Sequence, residues 1–172
     1  MALIRHGKPA LDNWQLLDGD VRAALQRFSD DTDVIVPLAS WVELSSELRA
    51  HRGGVGVCLA GSDDAEVLVR DFAELDLIAV RFTSFTDGRG YSIARLLRER
   101  WGWRGELRAV GDVQRDQLFY LARCGFDAFQ LRDGEDLDAA LGAFADFSEA
   151  YQTAVDRPVP LFRRREVRPR HT

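Results

Sequence analysis

The sequence predicts an α/β fold, a mainly parallel five-stranded sheet of βαβ units with a short N-terminal hairpin or arm. Three observations predict it. Five short apolar runs recur along the chain, each suited to a strand buried on both faces. Amphipathic stretches of helical spacing separate them. Gly and Asp punctuate most of the junctions. This alternation implies right-handed βαβ units, which build either an open doubly wound sheet or a partial (half) β/α-barrel.

Residues 3–17 mix short apolar pieces with Gly7, Pro9, Asp12 and Asn13, and read as the hairpin or irregular arm. The first strand run is Val34-Ile35-Val36-Pro37-Leu38. A helix from Trp41 to Arg49 follows, with Trp41, Leu44 and Leu48 on one side. The second run is Val55 to Ala60. Ser62-Asp63-Asp64 is then a cap cluster for a helix carrying Val67, Leu68, Phe72 and Leu75. The third run, Leu77 to Phe82, leads through Phe85-Thr86-Asp87-Gly88-Arg89-Gly90-Tyr91-Ser92. The next helix, Ser92 to Trp101, turns Ile93, Leu96 and Leu97 inward and closes at Gly102. The fourth run is Glu106 to Val110, ending at Gly111-Asp112. Asp112 is the expected cap of a helix that buries Leu118, Leu121 and Ala122 and stops at Gly125. The fifth run is Asp127 to Leu131. A last helix from Asp136 to about Phe147 aligns Leu137, Leu141, Phe144 and Ala145.

The 172 residues suit one domain able to bury a core without disulfides or metal. Residues 1–157 read as a single α/β domain, and residues 158–172, with Pro158, Pro160 and Pro169, as a basic C-terminal tail. A composition of 46% hydrophobic and 30% charged residues is that of a globular protein. No apolar run approaches the roughly 20 residues that span a bilayer, and no signal-peptide core is visible. Cys58 and Cys124 read as buried, inert thiols. So few cysteines favour the cytoplasm, with no membrane partner. The net charge of −5 is uneven: six arginines against Glu166 give residues 157–172 a charge of +5, leaving −10 on the body. An acidic body argues against nucleic acid as a partner. The tail is a solvated extension or a docking segment for an acidic partner. The sequence fixes no oligomeric state.

In parallel α/β architectures ligands lie outside the carboxyl ends of the strands. That rule selects Ser62, Asp63 and Asp64; then Thr83, Ser84, Asp87, Arg89, Tyr91 and Ser92; then Asp112 and Arg115; then Arg132 and Asp133. The third loop is the richest. Gly88 and Gly90 permit close backbone approach, and Arg89 supplies a fork suited to oxyanions. Gly88, Arg89, Gly90, Ser92 and Arg115 are therefore candidate anion ligands, and Asp87, Tyr91 and Asp112 candidate catalytic groups. A glycine-rich turn with an exposed arginine explains the same residues without a ligand.

The Gly88-to-Ile93 stretch begins like a dinucleotide fingerprint, but Ile93 replaces its third glycine. Gly53-Gly54-Val55-Gly56 precedes a strand and reads as a turn. No P-loop, Cys-x-x-Cys or nucleophile elbow is present, and His6, His51 and His171 are too dispersed for zinc. Arg81 and Arg108 interrupt apolar strand runs. They belong either to structural ion pairs, with Glu106, Asp112, Asp116 or Asp127 as partners, or to a polar cavity inside a partial barrel.

The runs Phe85-Thr86-Asp87-Gly88-Arg89-Gly90-Tyr91-Ser92, Ala94-Arg95-Leu96-Leu97-Arg98, Gly105-Glu106-Leu107-Arg108-Ala109-Val110-Gly111-Asp112, Arg115-Asp116-Gln117-Leu118 and Arg123-Cys124-Gly125-Phe126-Asp127 resemble a bacterial family of unknown function. The resemblance spans about residues 77–131. The family carries the label of an oxidoreductase of sulfite reduction, encoded beside assimilatory sulfite reductase. The resemblance thus implies a place in sulfur assimilation and cysteine biosynthesis, with sulfite reductase as a candidate partner. No flavin, haem, siroheme or iron–sulfur ligand set is evident in the residues, so no cofactor is expected.

Three functions are open at this point. The leading one is an accessory protein of assimilatory sulfite reduction that binds a small oxyanion or the reductase. The second is a small-molecule or nucleotide-dependent oxidoreductase using the Asp87–Ser92 loop. The third is a non-catalytic scaffold.

Overall fold

Two three-residue strands, β1 (Leu3–Arg5) and β2 (Lys8–Ala10), pair antiparallel around His6-Gly7. Both turn residues have positive φ, 50° and 71°, the backbone twist that two-residue hairpins favour. The computed structural model describes residues 2–147, 151–160, 162 and 163. Six further strands follow: β3 (Gln15–Leu16), β4 (Val34–Pro37), β5 (Val55–Leu59), β6 (Leu77–Phe82), β7 (Glu106–Gly111) and β8 (Ala128–Gln130). The sheet therefore has eight strands where the sequence suggested five. The three additions all come from the N-terminal arm, in pieces too short to carry a period.

The strand order is β2-β1-β8-β7-β6-β5-β4-β3. From β3 to β8 every neighbour is parallel and follows in sequence order. Right-handed crossovers that always step the same way put every helix on one face. A doubly wound sheet would need the order to reverse. The sheet instead curls into an open half-barrel, which decides between the two architectures.

Side chains alternate across each strand, so the two faces have separate cores. Ile78, Val80 and Phe82 of β6, Leu107 and Ala109 of β7 and Phe129 of β8 meet Trp41, Leu68, Leu97, Leu118 and Leu121 from the helical layer. On the concave face a small cluster of Ile35, Cys58, Leu77, Ala79 and Val110 is covered by Trp14 and Leu16 of the arm. Each large side chain fully buried stabilises by roughly 1.5–3 kcal/mol. The helix side therefore carries most of the stability, and the arm is a local cover.

The helices differ from expectation in detail. α1 (Val21–Leu25), capped by the Asp20 side chain, was not expected. The stretch after β4 is two short helices, α2 (Leu38–Glu43) and α3 (Ser45–Arg49), so Leu38 begins a helix instead of ending a strand. Asp64 caps the next element as expected, but Ala65–Glu74 winds as 3₁₀ turns. α4 (Arg89–Arg95) starts three residues early and widens into a π-helical turn at Leu96–Arg100. That widening leaves Leu96 39% exposed, contrary to its expected inward place, while Leu97 is buried. Asp112 is not a helix cap. Gln114 and Gln117 form a reciprocal capping box for a 3₁₀ turn, Arg115–Gln117, that leads into α5 (Leu118–Arg123). α6 (Leu137–Ala143) is capped by Asp136 and buries Ala140 and Ala143; Ala145, expected inward, lies beyond its end and is exposed. Of the basic tail expected from residue 158, residues 161 and 164–172 lie outside the described residues.

Gly111 ends β7 at φ 96°, and a Cβ there would stand 2.3 Å from the Phe82 carbonyl oxygen. Gly111→Ala is expected to cost at least about 1–3 kcal/mol in backbone strain alone. A lower denaturant midpoint at an unchanged m-value would register it.

Candidate functional site

The carboxyl ends of β3, β4, β5 and β6 converge on a recess of about 100 Å³ lined by Asp18, Pro37, Cys58, Ala60, Asp63 and Arg81. Each comes from the end of one of these strands or the turn just after it. Pro37, Cys58 and Arg81 lie on the concave side by strand alternation. The Asp63 carboxylate turns back to accept from the Ala60 N–H at 2.8 Å, which shapes the floor of the turn.

Arg81 is the cation of this recess. Its Nη2 donates to both Asp18 oxygens, at 2.8 and 3.1 Å. The pair is solvated: the side chains are 30% and 60% exposed. Burial works to lower the Arg81 pKa, but the hydrogen bond and charge of Asp18, joined by Cys58 once that thiol ionises, hold it above its usual value. The guanidinium stays charged. Burial pushes the Cys58 thiol up to about 11, although Arg81 beside it works the other way. Cys58 is thus a neutral, weakly polar wall, in keeping with the inert thiol expected. At pH 8 its thiolate fraction falls about two hundredfold below that of a free cysteine. Alkylation of Cys58 should therefore be slower by at least that factor in the native protein than in urea, as peptide mass spectrometry can follow.

The glycine-rich loop packs beside the turn that follows β5. Arg89 Nε and Nη2 each bond Asp87 at 2.9 Å, and the Arg89 N–H reaches Asp87 Oδ1 at 3.2 Å. The Arg89 side chain and its backbone N–H hold the Asp87 carboxyl down at about 2. The pair rests on the turn after β5: a Cβ on Gly61 would lie 3.0 Å from Arg89 Nε and 3.1 Å from Asp87 Oδ2. Gly90 has a packing role, since a Cβ there would meet the Phe82 ring at 2.7 Å. Gly88 has an ordinary φ of −81° and opens the helix. Ser92 is exposed.

The other expected residues do not join this group. Tyr91 sits on the helical side, edge-on to Phe82 and near Tyr120, with Gln117 Nε2 donating to its hydroxyl at 3.4 Å. Asp112 accepts from Gln114 Nε2 at 3.1 Å and from Arg132 Nη1 at 3.3 Å. Arg115 turns to α6, bonding Asp146 at 2.9 Å and the Ala139 carbonyl at 3.2 Å.

Arg108 and Arg81 both lie on the concave face, and the two readings of them are each met once. Arg108, 1% exposed, is structural: it bonds Glu106 at 2.8 Å and Asp12 at 2.9 Å. Of the expected partners only Glu106 takes part; Asp12 and Asp18 were not foreseen. Arg81 lines a cavity. Its interruption of an apolar strand was the legible signal. Asp18 left no signal, because it meets Arg81 from 63 residues away.

No helix among the described residues is long and apolar enough to cross a membrane. A family model described as a bacterial protein of unknown function (DUF934) matches residues 56–162. Comparison with curated proteins and with solved structures finds no match.

Proposed function

The chain belongs to this bacterial family of unknown function, and we propose that it is an accessory protein of assimilatory sulfite reduction that holds a small oxyanion beside Arg81. The pathway rests on the resemblance carried by residues 77–131. One observation carries the binding role: four consecutive parallel strands deliver side chains to a single recess with an arginine in it. This is the edge where parallel α/β proteins bind their ligands. A guanidinium with an exchangeable, solvated partner suits a planar or tetrahedral oxyanion.

The size of the recess favours a small ligand. The recess measures about 100 Å³. Pockets for nucleotide-sized ligands run to about 300–1,000 Å³. The second reading, a small-molecule or nucleotide-dependent oxidoreductase, needs Tyr91 and Asp112 beside Asp87, and their partners lie elsewhere.

Calorimetric titration with sulfite, sulfate and phosphate tests the binding role, and capture of sulfite reductase on the immobilised protein tests the pathway. Saturable sulfite binding that Arg81→Met abolishes is the expected result. No binding of any of the three anions would remove the oxyanion role, and no capture of the reductase would leave the pathway on resemblance alone.

A further inference from the structure

The recess already contains an anion, and that anion belongs to the arm. Residues 11–18 cross the concave face as a strap. Trp14 and Leu16 pack on the small cluster beneath, and Gln15–Leu16 pairs with β4. A carboxylate pins the strap near each end. Asp12 bonds the buried Arg108 at 2.9 Å and takes a hydrogen bond from Gln130 at 3.1 Å. Asp18 bonds Arg81.

The two pins differ in kind. The Asp12 side chain is 16% exposed against an arginine that is 1% exposed, so breaking that pair strands a desolvated charge. The Asp18 side chain is 60% exposed, and water can replace its partner at little cost. Asp18 also lines the recess. An oxyanion seated on Arg81 and the Asp18 carboxylate are like charges in one small space.

Resting on the oxyanion reading above, we propose that Asp18 is a built-in competitor for Arg81. Binding of an oxyanion displaces it and loosens the strap from the β3 end, while Asp12 keeps the other end fixed. The site thereby couples anion occupancy to exposure of the apolar concave patch under Trp14 and Leu16.

The test uses the full chain, sulfite and inorganic phosphate as probes, and Asp18→Asn beside the wild type. Asp18→Asn should bind sulfite about fivefold or more tightly, the factor expected from removing one like charge at close range. Hydrogen exchange over residues 11–18 should rise in wild type on saturation with sulfite, and should already be raised in ligand-free Asp18→Asn. Asp12→Asn serves as the contrast, raising exchange without the gain in affinity. Sulfite binding of equal strength in wild type and Asp18→Asn, with unchanged exchange, overturns the competition and leaves the oxyanion reading standing. Absence of binding in both proteins overturns both.

Discussion

Arg108→Met is expected to lower the unfolding free energy by about 3–5 kcal/mol. Arg108 lies in β7 on the concave face and is 1% exposed. Its Nε bonds Glu106, its Nη1 bonds Asp12, and its Nη2 lies 2.7 Å from Glu106 without a well-aligned hydrogen bond. Two carboxylates thus face one guanidinium in a partly dry site, and their side chains are 16% and 14% exposed. Removing the cation leaves Asp12 with no cation and Glu106 with only the more exposed Arg5, 3.4 Å away. For a chain of this size the melting temperature should fall by about 6–20 °C. The loss belongs mainly to the stranded charges, because buried ion networks replaced as a unit often cost little. Asp12→Asn and Glu106→Gln added to Arg108→Met should therefore recover most of the stability. A triple variant as unstable as the single one would show that packing of the guanidinium, and not charge, decides.

Arg98→Met should cost a similar amount, about 3–5 kcal/mol, for a different reason. Arg98 follows α4 in the widened turn, and its side chain is 9% exposed. One guanidinium binds the carbonyls of Gly125, Trp103 and Gly105 at 2.9, 2.9 and 2.8 Å, and Asp127 at 2.7 Å. Asp127 in turn accepts the Leu107 N–H at 2.8 Å, just inside β7. The side chain ties the end of one helix, the turn before β7 and the turn before β8 together. Burial pushes the Asp127 carboxyl up, with the Leu107 N–H and Arg98 working against it. Without Arg98 that pKa should rise further, so the variant should lose less stability on acidification than the wild type does. Chemical denaturation at two pH values checks both the size and the sign.

The strands β4 to β8, most of the helices and the cap at Asp64 were legible because apolar runs and capping chemistry are local signals. Gly102 and Gly125 were legible as stops, and both adopt positive φ, 73° and 106°. The β1–β2 hairpin was one of the two readings of residues 3–17, and β3 was not foreseen, because its two residues show no period. The half-barrel itself could not be chosen in advance, since strand order is a property of crossovers and not of any segment. Leu96 misled because a π-helical turn shifts the face that a 3.6-residue period assigns. The site was half legible. Arg81 stood out as a charge in an apolar strand, and Asp87 with Arg89 stood out as a polar loop at the right edge. The Asp87–Arg89 pair packs against Gly61 and Arg81 is held by Asp18, and neither contact is local in sequence. Tyr91, Asp112 and Arg115 fell at the same edge by the same rule, but Tyr91 and Arg115 turn to the helical layer, and Asp112 bonds Gln114 and Arg132.

The central claim is that a small oxyanion sits on Arg81. Its most direct test is a sulfite titration followed on the Nε–H resonance of Arg81, assigned by its loss in Arg81→Met. A saturable shift of that resonance, with those of Arg98 and Arg108 unmoved, is the predicted result. Sulfite binding that leaves Arg81 unshifted, or no binding at all, would contradict it.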